Sequence, residues 1–77
     1  MIQIGVDCQF AADGTVRVRR VHWHGKWQSV GQGRQWVDGV GRHVLIMLPN
    51  NQTHKILLRS DTLTWILITK EPPSKVV

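Results

Sequence analysis

Ile2, Ile4 and Val6 alternate with polar or small residues, the two-residue period of a strand with one buried face. Asp13-Gly14 then offers the pair that tolerates positive φ in a tight hairpin, so the first two strands are predicted to be antiparallel neighbours. The second strand changes phase: Val16 and Val18 share one parity, Val21 and Trp23 the other. A regular pleat cannot bury all four on one side. An extra residue near Arg19-Arg20, a β-bulge, restores the match, and an edge strand covered on both faces is the alternative.

Further along, Trp23-His24-Gly25-Lys26-Trp27 brackets a glycine with two indoles, as a sharp turn would if it returned the second Trp to the first strand. Five of the seven glycines fall between Gly25 and Gly41, which argues against a helix because each interior Gly costs about 1 kcal/mol relative to Ala. Arg34 to Val37 reads as a short strand closed by Asp38-Gly39, and His43 to Leu48 as an apolar strand stopped at Pro49-Asn50-Asn51. Thr53 to Leu58 and Leu63 to Thr69 follow, joined around Ser60-Asp61. No apolar period of 3.6 is sustained anywhere. The predicted fold is all-β: a small SH3-like barrel or rolled antiparallel meander of 5–6 strands, with residues 1–69 as one domain. Residues 70–77, with Pro72-Pro73, are predicted to be a disordered tail, since consecutive prolines cannot donate to a ladder.

The last three strands carry a complication. Val44 to Leu48, Ile56 to Leu58 and Trp65 to Ile68 are apolar on both parities, so something must cover the second face. A homodimer interface or a protein partner would do so, and so would loops and chain ends folded across it.

Length narrows the function. Seventy-seven residues hold one core, which excludes a two-domain enzyme with a site between domains. No stretch approaches the roughly 20 apolar residues of a membrane span. The start lacks the basic and apolar runs of a signal peptide, which gives an expectation of a cytoplasmic protein with no membrane role. The single Cys8 provides no internal disulfide. The formal charge of +5 is concentrated in residues 17–59, where eight cations stand against Asp38 alone. Such a segment attracts phosphodiesters or acidic proteins, although excess charge also simply keeps a small protein soluble.

Several catalytic and ligand patterns fail on their context. His22 and His24 would share one strand face, yet the second closely spaced pair of a zinc site is missing, so no metal is predicted. Gly31-Gln32-Gly33-Arg34-Gln35-Trp36 opens like a dinucleotide fingerprint but has Trp where the third glycine belongs and no strand-to-helix crossover around it. No cofactor is predicted. Cys8 lacks a nucleophile signature, and the five acids are widely separated, so the chain is read as a non-enzyme.

The basic and aromatic combination carries more. Arg17, Arg19, Arg20, Lys26 and Arg34 interleave with Trp23, Trp27 and Trp36 within twenty residues. On a curved sheet they would set phosphate-neutralising charges beside indole faces on which unpaired bases stack. With one Phe and no Tyr, some tryptophans must fill the core, Trp65 above all, so at most two are expected to be exposed. The expected function is a small basic module that binds single-stranded or nonspecific DNA or RNA through Arg17, Arg19, Arg20, Lys26, Trp27, Arg34 and Trp36. The alternative is a structural or protein-interaction domain that dimerises through its apolar C-terminal strands.

Arg20-Val21-x-Trp23-x-Gly25-x-Trp27, the later Trp36, Leu57-Leu58-Arg59 and Thr64-Trp65 resemble short uncharacterised bacterial β-domains with an R-V-x-W-x-G-x-W signature. The likeness covers roughly residues 17–68 and implies a compact β fold with no activity attached. The chain lacks that pattern's tyrosines and charged loops, and no functional residue carries over.

Overall fold

A computed structural model describes residues 2–68; the tail predicted at 70–77 lies outside the described residues. The fold is all-β, with eight strand segments in two antiparallel sheets: β1 (Ile2–Gln3), β2 (Gly5–Phe10), β3 (Val16–Trp23), β4 (Lys26–Ser29), β5 (Gly31–Val37), β6 (Gly41–Met47), β7 (Thr53–Arg59) and β8 (Trp65–Ile68). The larger sheet runs β1-β8-β7-β6-β5 and the smaller β2-β3-β4. Chain neighbours pair within each sheet, as in a meander; the chain changes sheet between β1 and β2 and again between β4 and β5, and β1 lies beside β8.

The turn chemistry explains most of these boundaries. Gly14 adopts φ 89° and donates to Ala11 O, closing the predicted Asp13-Gly14 hairpin. His24 and Gly25 both have positive φ, 56° and 75°, in the two-residue connection that lets Trp23 face Lys26. This turn creates β4, which the polar sequence Lys-Trp-Gln-Ser does not announce. Asp38 Oδ1 accepts from Val40 N and Gly41 N and so closes the β5–β6 turn. Leu63, at φ 57° and strongly exposed, belongs to the β7–β8 connection, so the last strand starts at Trp65.

The bulge expected near Arg19-Arg20 is present: Cys8 pairs with Val18 but Asp7 with Arg20, leaving Arg19 as the extra residue. The parity change therefore keeps Val16, Val18 and Val21 on one side. These three and Ile4 pack against Val44, Ile46, Ile56 and Leu67 of the larger sheet and Leu48 just beyond β6, forming the core between the sheets. Trp23 and Trp65 pack against its rim, which fits the structural role expected for Trp65.

Among the described residues the 5–6 strand count is corrected to eight, and the ladders do not close into a barrel. At one corner Ile4 leaves the larger sheet, its N–H donating to Trp65 O, and the chain continues as β2 of the smaller one. At the other, β4 pairs only with Arg20 to Trp23, so the lower half of β3 faces β5 without a backbone ladder. Two glutamines fill that gap. Val16 N donates to Gln35 Oε1 at 3.0 Å and Val18 N to Gln32 Oε1 at 2.7 Å, while both Nε2 amides donate to Val16 O at 2.8 Å. Side-chain amides thus satisfy backbone groups that a strand would otherwise pair, and they hold the two sheets together.

Candidate nucleic-acid interface

Cross-strand partners share a face, so register decides which predicted site residues can meet. With Val16, Val18 and Val21 turned inward, Arg17, Arg19, Arg20 and His22 project from the outer face of the smaller sheet. Trp27 pairs with His22 and joins them, and it is the exposed indole of the chain, 47% accessible. The Arg20 guanidinium lies 5.1 Å from the Trp27 centroid, within cation–π range, and its Nε bonds Asp7 Oδ2 at 3.0 Å. Arg19 donates to Gln9 Oε1 at 2.9 Å, whereas Arg17 has no acidic partner among the described residues. His22 meets Trp27 edge-on at 5.2 Å, leaving indole surface open. Gly5 lies close to the benzo edge of the ring, where an added Cβ would sit 3.4 Å from an indole carbon.

Lys26 is placed elsewhere. Its partner Trp23 faces inward, so Lys26 stands at the sandwich rim beside the β3–β4 turn. His22 and His24 do not share a face either. The turn takes His24 against Trp23, 4.2 Å between centroids, while His22 stays with Trp27 outside.

Arg34 and Trp36 are not with Trp27. Trp36 pairs with His43, whose neighbours Val44 and Arg42 have the opposite parity, and this places the indole on the outer face of the larger sheet. There it is half-buried and stacked on the buried His43 ring at 5.1 Å and 6°. His43 Nε2 is 2.8 Å from Asp38 Oδ2, and that bond is the first cause holding the Asp38 carboxyl below the ordinary Asp range. Arg34 and Lys55 approach the same indole at 5.4 and 5.9 Å. The seven predicted residues therefore divide: Arg17, Arg19, Arg20 and Trp27 on one outer face, Arg34 and Trp36 on the opposite one, Lys26 between them.

His22, His43 and Lys55, which complete the two aromatic clusters, are not among the residues expected at the interface from the sequence. The Asp38-Gly39 turn was the available signal for His43, since a hairpin centred there brings it opposite Trp36. Lys55 had none, because its approach to Trp36 spans two strands of the sheet.

A groove of about 480 Å³ opens between the β2–β3 hairpin and β5, lined by Phe10, Arg17, Gln32 and Gln35 among others. Arg17 thus borders both the groove and the small-sheet face. Burial first, and the Asp7 charge second, push the Cys8 thiol above its ordinary value. Among the described residues no group of three or more His, Cys, Asp or Glu is arranged to hold a metal ion, and no helix is long and apolar enough to cross a membrane. Comparison with protein-family models, curated proteins and solved structures gives no match.

Proposed function

We propose that this chain binds single-stranded nucleic acid through the outer face of its smaller sheet. The observation that carries the reading is the lateral arrangement of Arg17, Arg19 and Arg20 along β3 beside the exposed Trp27 on β4. Arg17 to His22 spans roughly 15 Å of strand at about 3.3 Å per residue, so the cations form a short track with an indole at one end. Phosphates neutralise the track and an unstacked base lies on Trp27. Asp7 offsets part of the Arg20 charge and holds its guanidinium beside the indole, which leaves Arg17 and Arg19 for phosphate. Bases without a fixed donor pattern suit such a face, so affinity should depend weakly on sequence.

Titration of mixed-sequence oligonucleotides, followed by tryptophan fluorescence across a salt series, tests this. The expected outcome is quenching at low salt, a linear fall of log affinity with log salt, and a slope reduced by about one for Arg17→Ala. Absence of quenching at low salt removes the proposal.

A second reading rests on a different observation. Leu45, Ile66 and Ile68 share the outer face of the larger sheet and are only partly buried, around an already buried Leu57, and Met47 beside them is exposed. Pairing of this stripe with a second copy would cover the side chains that made these strands apolar on both parities. Sedimentation at rising concentration tests it, and a monomer throughout rules it out.

A further inference from the structure

We infer that the protein is bivalent and bridges two nucleic-acid strands, one on each outer face of the sandwich. The inference rests on the nucleic-acid reading of the Trp27 face and adds a second site that this reading does not require.

The two faces repeat one chemical motif. On the smaller sheet Arg20 lies over Trp27; on the larger, Arg34 and Lys55 lie over Trp36. Register puts the indoles on opposite sides of the core, because Trp27 alternates with the inward Gln28 and Trp36 with the inward Gln35. Gln35 is bonded to the β3 backbone and cannot turn outward without breaking those bonds, so the orientation of Trp36 is fixed from behind. A core of nine apolar side chains separates the faces, and no single short strand reaches both.

The second site is prepared for stacking. His43, buried and tied to Asp38, is parallel to Trp36 and holds the indole from one face, while Arg34 and Lys55 stand over the ring at 5.4 and 5.9 Å. Arg34 and Lys55 supply the charge a phosphate needs, and Asp38 is already engaged by His43. The arrangement matches an aromatic platform flanked by cations.

The test uses oligothymidylate of about six nucleotides, within the length one small β fold covers, labelled in separate pools with a donor and an acceptor dye. Two oligonucleotides per chain and energy transfer between the pools are expected. Arg34→Glu with Lys55→Glu, which leaves both indoles in place, should lower the stoichiometry to one and abolish transfer while changing affinity at the Trp27 face less than about twofold, as independent sites require. Trp36→Ala should do the same, with its folding checked by the cooperativity of thermal unfolding. One oligonucleotide per chain in the wild type overturns bivalency and leaves the Trp27 proposal standing. Transfer that survives the double charge reversal also overturns it, since strands would then be brought together by protein dimers. Absence of binding at low salt overturns both proposals.

Discussion

Trp27 and Trp36 occupy equivalent positions in hairpins, each opposite a histidine, yet they have different surroundings. His22 meets Trp27 edge-on, and the indole stands on the four-residue β4 with Gly5 close to its benzo edge. His43 lies flat against Trp36, is itself buried, and is fixed by a carboxylate from the adjoining turn. Both indoles stand on edge strands, β4 and β5, but the inner strand that carries His22 is backed by β2 alone, whereas the one that carries His43 is backed by β7, β8 and β1 in the five-stranded sheet. A cross-strand partner decides how much of an aromatic is left for a ligand, and the size of the sheet decides how firmly that partner is held.

The largest expected effect falls on the Trp36 side. Gly41 opens β6 at φ 154°, and a Cβ there would sit 2.0 Å from Leu58 O, a backbone atom with no means of yielding. Gly41→Ala should therefore cost at least about 4 kcal/mol and disturb the turn that carries Asp38. Gly25→Ala on the Trp27 side meets no atom within 4 Å and bears only the cost of its φ of 75°, about 1–2 kcal/mol. Chemical denaturation of both variants measures the contrast, and equal losses would show that the two hairpins are equally constrained.

Binding should sharpen the comparison in the other direction. Trp27→Ala is expected to weaken oligonucleotide affinity at its face by about 1–3 kcal/mol, roughly five- to 150-fold, with little change in unfolding midpoint because the side chain is half exposed. Trp36→Ala should lower stability as well, since it uncovers His43. A Trp27→Ala variant that binds as the wild type does would dismiss that indole as a platform.

Gln35→Ala tests what holds the two faces back to back. It removes the acceptor of Val16 N and one donor to Val16 O, and should cost about 1–3 kcal/mol, read by denaturation and by faster amide exchange at Val16. Gln28→Ala, whose amide caps only Trp23 O in the smaller sheet, should cost less.

The smallest effect is a pH dependence. Hydrogen bonds from Thr15, His43 and Arg59 lead the causes that hold Asp13, Asp38 and Asp61 below the ordinary Asp value. A carboxyl lowered in the folded state contributes stability above its unfolded pKa and loses it as pH falls through the folded one. Stability should thus decline below about pH 3.9. Asp38→Asn should flatten part of that decline, which would place an acid-sensitive contact on the Trp36 face.

Much of this fold was legible along the chain. The parity switch at Arg19-Arg20 revealed the bulge because apolar residues must face one core whatever their spacing. Asp13-Gly14 and Asp38-Gly39 marked their turns for the same local reason. His24-Gly25 was harder, since a histidine at positive φ carries no compositional signal, and β4 was hidden behind it. Closure into a barrel was over-read: nothing in a linear pattern shows that Gln32 and Gln35 would spend their amides on the edge of β3, ending the ladder there.

The sequence by itself determined an all-β chain with an apolar interior, a cationic middle and tryptophans too numerous for the core alone. Those properties depend on local backbone preference and on counting. Only the tertiary structure decided that Arg34 and Trp36 would separate from Arg17, Arg19, Arg20 and Trp27. That outcome depends on which sheet each strand joins and on a register in which one residue of slip exchanges inside for outside.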